Sequence, residues 1–163
     1  MKIAILSDTH DNIWALQAAM PRIAAAEATI HCGDLCSPFI LKELGEGLAG
    51  KPLHIVWGNN EGDVLLMTRV AAQFSNITLH GALAELTLEG TRIAVNHYPE
   101  IAHGLAASGK YDVVCFGHNH TASQERMGQC LLLNPGEVMG LMGRRTLAIL
   151  ETRTRTAEFI EVP

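Results

Sequence analysis

Seven side chains able to ligate a hard or borderline cation stand where extended apolar runs give out: Asp8, His10, Asp34, Asn59, His97, His118 and His120. They fall in five segments, Asp8-Thr9-His10, Gly33-Asp34, Gly58-Asn59, His97 and Gly117-His118-Asn119-His120. Two carboxylates, one amide oxygen and four imidazoles are too many donors for one tetrahedral ion. They are about right for two ions that share a carboxylate. Two adjacent cations can deprotonate a water and neutralise the charge on a phosphoryl group, so the chemistry open to such a set is hydrolysis of a phosphate ester.

Taken singly, the segments say little. Asp-x-His is also an ordinary strand-to-helix turn in which Asp accepts a local backbone N–H. Gly-Asp and Gly-Asn are common turn dipeptides. In an extended turn, however, Asp8 and His10 can point the same way. The imidazoles at 118 and 120 carry more weight, because paired nitrogen donors after a strand suit Mn, Fe or Zn. The argument rests on all five occurring together, each at the end of a plausible strand.

The elements that must position them are legible from the apolar pattern. Lys2 to Leu6 reads as a buried central strand, and Asn12 as the cap of a helix over 13–26, kinked or broken at Pro21. Residues 28–31 form a second strand, followed by a helix from Ser37-Pro38 to about Gly45. Leu53 to Val56 is a third strand, and Glu61 to about Phe74 another helix. Segments at 77–80, 85–88 and 92–96 read as a meander. A helix over 100–108, an apolar strand over 112–116 and four further strands near 121–126, 130–134, 146–151 and 157–162 complete the chain. The β-α-β start and the hairpins at the end predict an α/β fold of two mixed sheets with outer helices.

The order and spacing of the five segments resemble those of the calcineurin-like metallophosphoesterases, in particular their small single-domain bacterial and archaeal phosphodiesterases. The resemblance implies a four-layer α-β-β-α sandwich over one domain, residues 1–163, with the metals at the strand ends. It implies one metal held by Asp8, His10, Asp34 and His120, and a second held by Asp34, Asn59, His97 and His118. Asp34 bridges the two, and Asp34, Asn59, His97 and His118 are the expected catalytic residues. The implied reaction is in-line attack by a metal-bridging hydroxide on a small phosphodiester. The implied cofactors are two divalent ions, manganese first, with iron, zinc or nickel as alternatives.

The sequence departs from that family in four places. Asn60 replaces a His that in many members protonates the leaving group, and an amide cannot titrate. Glu61 stands where Asp is usual, one methylene longer. Tyr98-Pro99 follows His97 where His-Gly is common, reshaping the cleft wall, and Asp11 replaces a Gly after His10. Of the other histidines, His31 is placed to line the site as a donor to a ligand. His54 and His80 belong to no motif, and His103 lies on a helix from which it could approach substrate.

Bulk properties set limits. At 163 residues and 48% hydrophobic content the chain can bury a core without disulfides. A net charge of −5, with no long basic tract, excludes a surface for long nucleic acid. Four cysteines at 32, 36, 115 and 130 lack zinc-finger spacing and read as reduced thiols. The apolar start is too short for a signal core and no stretch is long enough to span a bilayer, so a cytoplasmic protein without membrane partners is expected. A homo-oligomer is compatible with the sequence. No capping domain is read, so the cleft should be open. No Arg or Lys lies within a few residues of positions 8, 34, 59 or 118, which favours diesters over monoesters. The rival reading is a catalytically weak scaffold or protein-binding module on the same fold.

Overall fold

A computed structural model describes residues 1–163. Strand β1 (Lys2–Leu6) alternates its side chains across the first sheet: Ile3 and Ile5 face one core, Ala4 and Leu6 another. Both faces are buried, which is why the run is continuously apolar. Helix α1 (Ile13–Ala24) returns to β2 (Ala28–His31), and α2 (Pro38–Gly47) to β3 (Leu53–Ile55), each strand parallel to the last. Helix α3 (Val64–Ala71) leads to β4 (Ile77–Leu79), again parallel.

The chain then enters a second sheet through β5 (Ala84–Leu88) and β6 (Thr91–Val95), an antiparallel hairpin turning at Glu89-Gly90. Helix α4 (Pro99–Ala107) connects β6 to the parallel strand β7 (Val113–Cys115), and β8 (Ser123–Met127) and β9 (Cys130–Asn134) finish that sheet. Strands β10 (Thr146–Glu151) and β11 (Thr156–Glu161) return to the first sheet, β10 pairing antiparallel with β1. The sheets are ordered β11-β10-β1-β2-β3-β4 and β5-β6-β7-β9-β8.

Three apolar layers hold the stack together. Leu16, Ile23, Ile40, Leu44 and Met67 press α1 to α3 onto Ala4, Leu6, Leu53 and Ile55 of the first sheet. Ile3, Ile5 and Ile30 meet Val95, Val113, Cys115 and Leu133 between the sheets. Ala102 and Ala106 of α4 cover Ala94, Val114 and Leu132 on the far side. The result is the four-layer α-β-β-α sandwich expected from the sequence.

Three element expectations are corrected. Pro21 does not break α1, which continues to Ala24 with Ala19 and Ile23 buried on either side. Helix α3 starts at Val64, three residues late, because Asp63 caps it by accepting the Leu66 N–H at 2.9 Å and Glu61 is engaged elsewhere. Segment 77–80 is not part of a meander: β4 closes a third β-α-β unit on the edge of the first sheet, and only β5 and β6 form the hairpin. All four cysteines are free thiols, with Cys32, Cys115 and Cys130 buried.

Candidate active site

All five segments meet at the strand ends where the two sheets adjoin. Asp8 follows β1, Asp34 follows β2, Asn59 follows β3, His97 follows β6, and His118 and His120 follow β7. Backbone hydrogen bonds stitch the loops: Asp8 N–H donates to the Gly33 carbonyl at 3.0 Å, His10 N–H to that of Asp34 at 3.1 Å, and Gly117 N–H to that of His97 at 3.0 Å. Asp8, His10, Asp34, His118 and His120 all adopt left-handed φ, between 39° and 73°. Such conformations are uncommon for any non-glycine residue, though Asp and His adopt them more readily than most, and five of them at one site mark how tightly the loops turn. Gly58 shows how tight they are: a Cβ there would lie 2.0 Å from Asp34 Oδ1.

The donor atoms form two neighbouring groups. In the first, Asp8 Oδ1 lies 3.8 Å from His10 Nε2 and 3.4 Å from His120 Nε2. In the second, Asn59 Oδ1 lies 3.1 Å from His97 Nε2 and 2.9 Å from His118 Nδ1, and His97 Nε2 is 3.4 Å from Asp34 Oδ1. The other oxygen of Asp34 is 3.5 Å from His10 Nε2. The two oxygens of Asp34 therefore face different groups, as a bridging carboxylate must. Ligating atoms of Asp8, His10 and His120, and again of Asp8, Asp34 and His97, lie within 4.8 Å of one another. Asp8 Oδ1 and His10 Nε2 are buried and have no hydrogen-bond partner, and the donor set of carboxylate, imidazole and amide suits Mn, Fe or Zn. The residues fit a pair of divalent ions.

Behind these atoms three of the four imidazoles are held, each by a different group. The Cys32 carbonyl accepts from His97 Nδ1 at 2.8 Å, the Cys36 thiol lies 3.3 Å from His10 Nδ1, and the Glu137 carboxylate lies 2.7 Å from His120 Nδ1. Partners of this kind fix which ring nitrogen remains free to bind. Glu137 is fully buried, and its second oxygen accepts the Met142 N–H. Sequence reasoning missed it, although a lone carboxylate among Leu131, Leu132, Leu133, Val138 and Met139 was a readable signal that it had a partner.

Glu61, one methylene longer than the usual Asp, keeps its loop in order. It accepts four backbone N–H groups, from Gly58, Asp34, Leu35 and Cys36, at 2.8 to 3.1 Å. Asn60 donates its backbone N–H and its side-chain amide to the two oxygens of Asp34, at 2.8 and 2.9 Å. It serves the carboxylate and offers no proton to a leaving group. Tyr98 packs against His97 and His118, with ring centroids 5.3 and 5.2 Å away, as the cleft wall. His31 does not touch a candidate ligand side chain: its Nδ1 accepts the Gly33 N–H, so its Nε2–H faces the Thr9 hydroxyl at 3.2 Å. His103 pairs with Glu125 at 3.3 Å, both side chains more than half exposed.

The charges follow from these contacts. Burial works against ionisation of Asp34, but the hydrogen bonds from His97 and Asn60 hold its carboxyl well below the usual range. The Asp8 carboxylate raises His10, and Asp34 raises His97 against the effect of burial. Complete burial pushes His31 down to about 3, so it is neutral. Burial lifts the Cys36 thiol to about 12, leaving it protonated beside His10.

Residues 1–155 match the profile described as the calcineurin-like phosphoesterase superfamily domain, and the chain belongs to that superfamily of phosphoric ester hydrolases. It is 31% identical over 160 residues to a phosphodiesterase of Methanocaldococcus jannaschii, covering 95% of each chain. It is also 31% identical over 172 residues to a probable metallophosphoesterase of Bacillus subtilis, covering 99% of this chain and 91% of the other. Among solved structures, an archaeal phosphodiesterase superposes with a TM-score of 0.90 at 29% identity, over 99% of this chain and all of the other. Vps29 of Entamoeba histolytica, at a TM-score of 0.70 and 15% identity over the full length of both, shares the fold.

Proposed function

We propose that this protein is a dinuclear metal-dependent phosphodiesterase acting on a small phosphodiester. One observation carries the reading: Asp8 Oδ1 and His10 Nε2 are buried without hydrogen-bond partners and face a shared centre. Leaving such groups unpaired costs roughly 1–3 kcal/mol each, which a ligated cation removes. Asp8, His10, Asp34 and His120 would hold one ion, and Asp34, Asn59, His97 and His118 the other. When bound, the ions, manganese first among the candidates, supply a nucleophilic hydroxide at neutral pH and positive charge beside the phosphoryl oxygens.

The side chains then act by position and charge. Asp34 ties the two groups together, and Asn59 ligates through a neutral oxygen, which keeps the site positive toward an anionic substrate. Glu137 and the Cys32 carbonyl hold His120 and His97 in the tautomers that leave Nε2 free. Asn60 provides no proton, so alcohols that leave without help are favoured. The ion-pair partners of Asp8 and Asp34 are all histidines, so no lysine or arginine at the cluster itself holds the second charge of a monoester.

The test is hydrolysis of bis(p-nitrophenyl) phosphate and of p-nitrophenyl phosphate by metal-stripped protein with Mn²⁺ added back. Metal-restored turnover of the diester in preference to the monoester is expected. No turnover despite binding of two equivalents of metal would overturn the reading in favour of a binding module.

A further inference from the structure

A cleft of about 440 Å³ adjoins the cluster, with His120 in its lining. Its size lies in the range of small-molecule sites. Met142 and Phe159 give it apolar walls, Thr121 a hydroxyl, and Arg144 its cation. Arg144 is 24 positions beyond His120 in sequence, so a search near the ligand segments does not find it. The fold brings it there through the loop between β9 and β10.

That loop is anchored firmly at its base. Val138 and Met139 donate their N–H groups to the carbonyls of Ser7 and Asp8 at 3.2 and 3.0 Å, and Asn12 Nδ2 donates to the Met139 carbonyl at 2.7 Å. Glu137 joins His120 on one side to the Met142 backbone on the other. The walls of the cleft are thus tied to the residues that would hold the metals. Its outer part is exposed: Met142 at 72%, and the Arg144 side chain at 78%. Arg144 is held only by Glu161, at 3.0 Å, and that carboxylate is itself 63% exposed. Such a pair contributes little to stability and exchanges readily for another anion. The planar guanidinium suits a phosphate or carboxylate.

We propose that this cleft receives one alcohol arm of the substrate, and that Arg144 selects an arm carrying a second anionic group on an apolar body. The proposal rests on the phosphodiesterase reading for its orientation: the phosphoryl group lies at the ligand cluster and the arm runs past His120 between Met142 and Phe159. An anion on that arm displaces Glu161 from Arg144. In a chain of net charge −5, one cation at the mouth of the cleft decides which anionic arm is accepted.

The test compares thymidine 5′-(p-nitrophenyl phosphate) with the same ester bearing a 3′-phosphate. Wild-type protein with Mn²⁺ should show a KM about tenfold lower for the bisphosphate, as a charge-assisted contact provides. Arg144→Gln should bring the two KM values together with kcat unchanged, and should leave bis(p-nitrophenyl) phosphate unaffected. Arg144→Lys should keep part of the preference. Equal wild-type KM values, or a preference that survives in Arg144→Gln, overturns the subsite. Equilibrium dialysis of thymidine 3′,5′-bisphosphate against thymidine 5′-phosphate reads the same preference without turnover. If no ester is hydrolysed but the dialysis preference is present and lost in Arg144→Gln, the subsite stands and the phosphodiesterase reading falls.

Discussion

Two groups of histidines in this protein share a residue type and little else. At the strand ends, His10, His97, His118 and His120 surround Asp8 and Asp34, with their free nitrogens turned toward carboxylate or amide oxygens. On the edge of the first sheet, His54 of β3 and His80 just beyond β4 bond to one another, Nδ1 to Nε2 at 3.0 Å, with ring centroids 5.2 Å apart. Carboxylates raise His10 and His97, whereas burial lowers both His54 and His80, and His80 lowers His54 further. The imidazole alone does not make a cation site. The anionic oxygens placed around it decide whether it is drawn to positive charge or kept neutral.

The contrast can be broken most sharply at Asp34. Asp34→Ala removes the oxygen that faces each group, so diester hydrolysis should fall by more than about a hundredfold, with metal lost from both sites by equilibrium dialysis. Near-wild-type turnover in that variant would end the dinuclear account. Glu137→Gln is the next test, because it keeps the shape but weakens the hold on His120. Metal affinity should drop about 10- to 100-fold, read by competition with a chelator, while the fold is retained by circular dichroism.

The edge pair provides the small effects. His54→Gln should leave metal content and diester turnover within about twofold of wild type, since neither His54 nor His80 touches the cluster. The pair does predict a dependence of stability on pH. Its folded pKa values lie below the unfolded value, so below about pH 6.5 the unfolded chain binds more protons and stability falls as pH falls. Partial exposure keeps the effect below about 1 kcal/mol. Urea unfolding of wild type and His54→Gln at pH 7 and pH 5 should show a smaller loss in the variant, and equal losses would remove the pair as its source.

What could be read from the sequence followed from chemistry that is local in the chain. Strands such as β1 and β7 were legible because strands covered on both faces read as continuous apolar runs. The ligand segments were legible because each occupies a turn directly after its strand. The assignment of β4 failed because Ile77-Thr78-Leu79 has the same half-exposed pattern in either sheet, and only the α3 crossover decides between them. The start of α3 was misplaced because the four donors around Glu61 come mostly from a loop 25 to 27 residues away. The partner of Glu137 could not be named for the same reason, although its place among apolar residues was readable: His120 comes within reach only through the packing of the fold.

Glu61 also has a kinetic consequence. The amides of Gly58, Asp34, Leu35 and Cys36 belong to two different loops, yet all four protons are capped by one side chain. All four lose their acceptor at once if that carboxylate swings away. In deuterated water they should exchange in concert, far more slowly than neighbouring loop amides, as a single opening unit. The spacing between the two loops is therefore a clamped quantity, already set when a cation arrives.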